Sequence, residues 1–82
     1  MRPTFEVKIF SPFETYYQGQ AYSLSANNAS GPFDVLAGHA NFICLLLPGP
    51  VRIDTPYGQR EYNLTRGIVR VNQSKVTLFA NV

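Results

Sequence analysis

The sequence predicts an all-β protein, a small β-sandwich or flattened barrel of about eight to ten short strands. Apolar and polar residues alternate with a period of two along most of the chain, as expected of strands with one buried face. Turn-forming residues interrupt this alternation at short intervals, and six prolines and six glycines stand among only 82 residues. Because no stretch keeps helical spacing for more than about two turns, no amphipathic helix is expected.

The alternation is clearest in the first strand, where Phe5, Val7 and Ile9 point one way and the intervening residues the other. Turn signals separate the strands in the segments SPFE, NNASGP, LPGP, TPYG and VNQSK. The same alternation predicts further strands at residues 21–26, 51–54, 61–64, 69–71 and 76–80.

One apolar run breaks the alternating pattern. Residues 42–47 read FICLLL, with no polar residue between them. Such a run predicts a strand that is covered on both faces or pressed against a partner.

Size and charge limit the function. We expect a single domain over residues 1–82, because the chain is too short for two cores. The net charge is +2 and the seven basic residues are scattered, with Arg66 and Arg70 on one solvated strand face, so nucleic-acid binding is not expected. No apolar run approaches the roughly 20 residues that a membrane-spanning helix needs, so no direct membrane insertion is expected.

The residues that could carry chemistry are few. His39 is the only histidine and Cys44 the only cysteine, so neither a metal site nor a disulfide within the chain is expected. A base formed by His39 with Asp34, or a Cys44–His39 pair, is conceivable, but no GxSxG elbow is present and Cys44 lies in an apolar strand. We therefore expect that the chain is not catalytic by itself and that it binds no cofactor and no small-molecule ligand.

The segment GPFDVLAGHANF, residues 31–42, is predicted to be an apolar loop between two strands. No glycine-lysine pair follows its glycines, which excludes a phosphate-binding P-loop. Gly31 and Gly38 are expected to adopt backbone conformations that other residues avoid. The apolar Phe33, Val35 and Leu36 then predict either a lid over one end of the sandwich or a contact patch for another protein.

Several ordered motifs resemble those of a known family. The first matching stretch comprises Gly31, Phe33, Val35, Leu36, Gly38, His39 and Ala40, and the second comprises Pro48, Gly49, Val51 and Ile53. The third comprises Gly67, Ile68, Val69 and Val71, and the last strand matches at Val76, Thr77, Leu78 and Ala80. From about Phe5 to Val82 the chain resembles the N-terminal β-sandwich domain of the epsilon subunit of F-type ATP synthase, called delta in mitochondria. Pro32, Asp34, Ala37 and Asn41 depart from the family pattern, and Pro32 replaces an acidic residue.

The resemblance implies a non-catalytic subunit of the central stalk that docks on the gamma subunit and on the ring of c subunits. It implies a peripheral location on the cytoplasmic face of a bacterial inner membrane, or on the matrix or stromal face in an organelle. The segment implied to face the c-ring comprises Ser30, Gly31, Pro32 and Phe33. The segment implied to face gamma comprises Gly38, His39, Ala40, Asn41 and Phe42.

Family members usually continue into a helical hairpin that carries inhibitory movement and, in some members, ATP binding. No such hairpin is expected within these 82 residues. The alternative hypothesis is a stand-alone β-sandwich adaptor that kept the fold and left the synthase.

Overall fold

The computed structural model describes residues 2–81 and contains no helix among them. All regular structure in this part of the chain is β-strand, which confirms the predicted all-β class. The strands are β1 (Phe5–Phe10), β2 (Thr15–Ala21), β3 (Ser23–Asn28), β4 (Gly31–Leu36), β5 (Phe42–Leu46), β6 (Gly49–Thr55), β7 (Gly58–Leu64), β8 (Arg66–Asn72) and β9 (Lys75–Asn81).

The strands form two packed sheets, so the fold is a sandwich. One sheet has the order β2-β1-β9-β8-β5, and the other has the order β4-β3-β6-β7. The first and last strands, β1 and β9, pair in parallel, whereas the other paired strands run antiparallel. This parallel pair lies inside the larger sheet, with β2 beside β1 and β8 beside β9.

The core lies between the inner faces of the two sheets. Its side chains come from alternate positions, as the period of two predicts: β1 contributes Phe5, Val7 and Ile9, and β9 contributes Val76, Leu78 and Ala80. Burial of these apolar side chains is the main force that holds the sheets together. The other buried apolar residues are Tyr17, Ala21, Leu24, Ala26, Val35, Leu46, Val51, Ile53, Leu64, Val69 and Val71.

The expectation that residues 31–36 form a loop is wrong, because they form the edge strand β4. Val35 is buried in the core, and Pro32, Asp34 and Leu36 point outward. The proline is tolerated because an edge strand leaves every second backbone amide unpaired. The segment is therefore not a lid, although Leu36 does lie exposed on the outer surface.

The expectation that FICLLL is covered on both faces within the domain is also wrong. β5 is the last strand of its sheet, paired only with β8. Leu46 is buried, but the side chains of Ile43 and Leu45 are 66% and 71% exposed. The second interpretation, that a partner covers this strand, stays a prediction.

The turns gather at two ends of the sandwich. At the first, which we call the Ser30 end, the β3–β4 turn lies beside the end of β5, and the Leu47 amide donates to the Asn27 carbonyl at 2.9 Å. At the second, the His39 end, the Gln73 amide of the β8–β9 turn donates to Asn41 Oδ1 at 2.6 Å. The strand β4 runs from one end to the other, a span of about 20 Å for six residues.

Candidate interaction surfaces

The turn at the Ser30 end is shaped by its own side chains. Asn28 Oδ1 accepts a hydrogen bond of 2.8 Å from the Ser30 amide, which closes a local turn. Gly31 follows with a φ of 117°, in a region that favours glycine. Ser30 and Pro32 are exposed, so this turn presents a small, fixed surface to whatever lies beyond it.

Phe33 belongs to the same predicted segment, but it has a different environment. Its side chain faces the other sheet, packs against the core, and meets the ring of Phe42 edge to face with centroids 5.9 Å apart. In this chain Phe33 therefore supports the turn from behind, while Ser30 and Pro32 form its outer surface.

The loop at the His39 end begins with a tight turn. The His39 amide donates to the Leu36 carbonyl at 3.1 Å, and Gly38 at the third position has a φ of 82°. This geometry requires a residue that tolerates positive φ, which explains the glycine at that place. Gly38, Ala40 and Asn41 are exposed, and together they form the surface of this end.

The histidine is held by its neighbours and not by an acid. His39 Nδ1 lies 2.8 Å from the Ala40 carbonyl oxygen, and its ring lies 4.9 Å from the Phe42 ring. A carbonyl oxygen only accepts hydrogen bonds, so Nδ1 carries the proton in this arrangement. The ring is thus fixed in orientation at the surface.

The residue pairs considered for catalysis do not form. Asp34 Oδ1 accepts a 2.6 Å hydrogen bond from Ser25 on the outer face of its sheet, and Cys44 Sγ lies 3.9 Å from Asn28 Nδ2. Within residues 2–81, no cluster of three or more metal-ligating side chains occurs. The same residues contain no helix that could span a bilayer.

Sequence reasoning missed an apolar row on the outer face of the larger sheet. Leu45 pairs with Ile68, Ile68 with Phe79, and Phe79 with Phe10, so one side chain from each of four adjacent strands lies in line. Phe10 and Phe79 meet edge to face at 5.4 Å. A shallow groove of about 420 Å³ runs beside the row and is lined in part by Leu45, Ile68 and Phe79. The signal was present in the sequence as isolated apolar residues at outward positions.

The fold defines a class of protein: a small β-sandwich with shaped turns at its two ends and an apolar row on one outer face. The comparison with known families gives the particular identity. The family described as ATP synthase, Delta/Epsilon chain, beta-sandwich domain matches residues 4–82. The chain belongs to this family.

Relatives from bacteria agree with this assignment. The chain is 29% identical over 82 residues to the ATP synthase epsilon chain of Clostridium novyi and 35% identical over 79 residues to that of Psychrobacter sp.. These alignments cover 99% and 95% of this chain, but only 63% and 57% of the relatives, so the chain spans about three fifths of their length.

Two solved structures share the fold. A chain of the Euglena gracilis mitochondrial ATP synthase superposes with a TM-score of 0.86 at 21% identity, over 94% of this chain and 50% of that one. A chain of the Tetrahymena thermophila mitochondrial ATP synthase central stalk and c-ring superposes with a TM-score of 0.81 at 16% identity, over 99% of this chain and 66% of that one.

Proposed function

We propose that residues 1–82 act as one epsilon-like domain, a non-catalytic part of the central stalk of an F-type ATP synthase that docks on gamma and on the c-ring. The domain would couple rotation to ATP synthesis by holding these two partners in fixed relation. It would lie peripherally at the cytoplasmic face of a bacterial inner membrane, or at the equivalent face in an organelle. The family membership and the relatives' names support the synthase setting.

One observation carries the docking proposal: the exposed residues of the two segments assigned to different partners lie at opposite ends of the strand β4. Ser30, Gly31, Pro32 and Phe33 would form the c-ring contact at the Ser30 end. Gly38, His39, Ala40, Asn41 and Phe42 would form the gamma contact at the His39 end. A strand paired within a sheet is a stiff spacer, so a load applied at one end reaches the other with little deformation.

The chemistry of the Ser30 end departs from the family pattern in a way that fits an uncharged contact. Pro32 occupies the place of an acidic residue and is exposed. The c-ring would therefore contact the Pro32 side chain and the Ser30 hydroxyl at this end, and no carboxylate. Phe33, packed behind them, would keep the turn in place.

Separate binding measurements with purified gamma and purified c-ring from the same source test this proposal. The wild-type chain is expected to bind both at micromolar concentration. Ser30→Arg is expected to weaken c-ring binding and spare gamma, and Ala40→Glu is expected to do the reverse; both positions are exposed, so both variants should fold. If the wild type binds neither protein, or if both variants lose the same partner, the proposal is wrong.

A further inference from the structure

The four edge strands of the sandwich differ in how they are protected against pairing with a further strand. An edge strand exposes unpaired backbone groups, and proteins usually protect it with charges, proline or an irregular backbone. β4 carries Pro32 and Asp34, and β7 carries Arg60 and Glu61. The register between β2 and β1 shifts at Ile9 and Phe10, which makes that edge irregular.

The edge strand β5 carries none of these devices. Its sequence FICLL contains no charge, no proline and no glycine, and its pairing with β8 is regular along its whole length. Its outward side chains are the exposed Ile43 and Leu45, and Leu45 begins the apolar row on the outer face. A regular, uncharged, apolar edge is a template for one more strand.

The charges beside β5 indicate what kind of segment would lie there. On β8, Arg70 pairs with Ile43 near one end of β5, and Arg66 is next to Gly67, which pairs with Leu46 at the other end of β5. Neither arginine forms an ion pair with a carboxylate of residues 2–81, where the two ion pairs are Arg2–Asp54 and Arg52–Glu61. The surface around the free edge is therefore apolar and positively charged.

A second copy of this chain fits that surface poorly. Two β5 edges pairing with each other would bring Arg66 and Arg70 of both copies onto one continuous sheet face. The β5 strand of the second copy carries no carboxylate, so it would leave the charges of both arginines unpaired. A different polypeptide with carboxylates near its apolar residues would cover the apolar side chains of β5 and also pair with the two arginines.

We infer that β5 is completed by an extended segment of a partner polypeptide, which adds as a strand to its free edge and carries carboxylates facing Arg70 and Arg66. The inference rests on the proposed function, under which gamma supplies this segment. It extends the gamma contact from the loop at residues 38–42 along the whole of β5. The apolar side chains of the segment would cover Ile43 and Leu45.

Hydrogen exchange of the full chain, free and bound to gamma, tests the added strand. Within residues 42–47, the amides that point to the free edge of β5 are expected to exchange about tenfold or more slowly on binding, because they acquire hydrogen-bond partners. The edge strand β7 is the internal control and is expected to keep its rates.

Matched substitutions test whether the side chains of Leu45 and Arg70 contact the added strand. Leu45→Lys is expected to weaken gamma binding by about tenfold or more, whereas Phe13→Lys, in the exposed turn between β1 and β2 and outside both predicted segments, should change it by less than about twofold. Arg70→Glu is expected to weaken binding and to reduce its dependence on salt, whereas Arg60→Glu should do neither. Unchanged exchange in β7 and β9 of each variant shows that it is folded.

The outcomes separate this inference from the proposed function. If the wild type binds gamma but residues 42–47 exchange as fast as in the free chain, or if Leu45→Lys binds as well as Phe13→Lys, the inference is wrong and the proposed function stands. If residues 42–47 are protected without gamma in a self-associated form, the occupant is a second copy and the inference is also wrong. If the wild type binds no gamma at all, both fail together.

Discussion

Phe33 and Phe42 join the two predicted contact segments, because their rings pack edge to face with centroids 5.9 Å apart and an interplanar angle of 81°. Phe33 comes from β4 in one sheet, and Phe42 opens β5 in the other. The pair therefore ties the two sheets together along the side where both edge strands lie. A second contact continues from Phe42 to the ring of His39.

A double-mutant cycle at Phe33 and Phe42 should show this coupling. Each alanine substitution removes part of the same ring contact, so the two losses of unfolding free energy should not add. The coupling is expected to be about 0.5–1.5 kcal/mol, the usual value for an edge-to-face pair. Urea unfolding of the wild type, both single variants and the double variant measures it. Strictly additive losses would show that the rings do not support each other.

Gly67→Ala should destabilise the domain through crowding. Gly67 is buried, and a Cβ there would lie 3.1 Å from the Phe79 carbonyl oxygen and 3.2 Å from Leu64 Cδ1. The backbone atom cannot move away without disturbing the β8–β9 pairing, so a loss of about 1–3 kcal/mol is expected.

A second variant, Leu64→Ala, tests the cause of this loss, because it removes the Leu64 Cδ1 atom that the added Cβ would crowd. Leu64→Ala should cost less unfolding free energy in the Gly67→Ala background than in the wild type, as measured by urea unfolding. If it costs the same in both backgrounds, crowding against Leu64 is not the cause of the loss.

Much of this fold follows from the sequence alone. Alternation of apolar and polar residues correctly predicts strands in the regions of β1, β3, β6, β7, β8 and β9. It misses β2, because Gly19 stands at an inward position where an apolar side chain is expected. The Tyr17 hydroxyl group lies 3.1 Å from where a Gly19 Cβ would be, so an aromatic ring from the same strand fills that space.

The candidate surfaces are less predictable, for reasons that lie in tertiary structure. The glycine and proline of residues 31–32 indicate a loop, and only pairing with β3 makes the segment a strand. The separation of Ser30 and His39 to opposite ends follows from that strand. The exposure of Ile43 and Leu45 depends on the strand order, which places β5 at an edge; local sequence does not specify that order.

Asn41→Ala should destabilise the His39 end, because the exposed Asn41 side chain holds the turn between β8 and β9 through a hydrogen bond. Its Oδ1 accepts a 2.6 Å hydrogen bond from the Gln73 amide, and Gln73 has a φ of 58°. Losing this acceptor should cost about 1 kcal/mol and speed exchange of the Gln73 amide. Asn63→Ala, at an exposed position on β7, is the control and should be neutral. Equal stabilities of the two variants would contradict the prediction.

His39→Ala should separate binding from stability. The His39 side chain contacts the Phe42 ring and the Ala40 carbonyl at the edge of the domain, so its removal should cost less than about 1 kcal/mol of unfolding free energy. Under the proposed function, the same change removes a fixed ring from the gamma contact, and binding to gamma should weaken by about tenfold. Titration of purified gamma, together with urea unfolding of the variant, measures both quantities.

The control for His39 is Tyr57→Ala. Tyr57 is 83% exposed in the β6–β7 turn at the same end of the sandwich, but it lies outside the predicted gamma segment. Its removal should leave gamma binding within about twofold of the wild type, since exposed side chains outside a contact rarely contribute. If Tyr57→Ala and His39→Ala weaken binding equally, the gamma contact covers the whole end and is not centred on residues 38–42. If neither weakens it, gamma does not dock on this end.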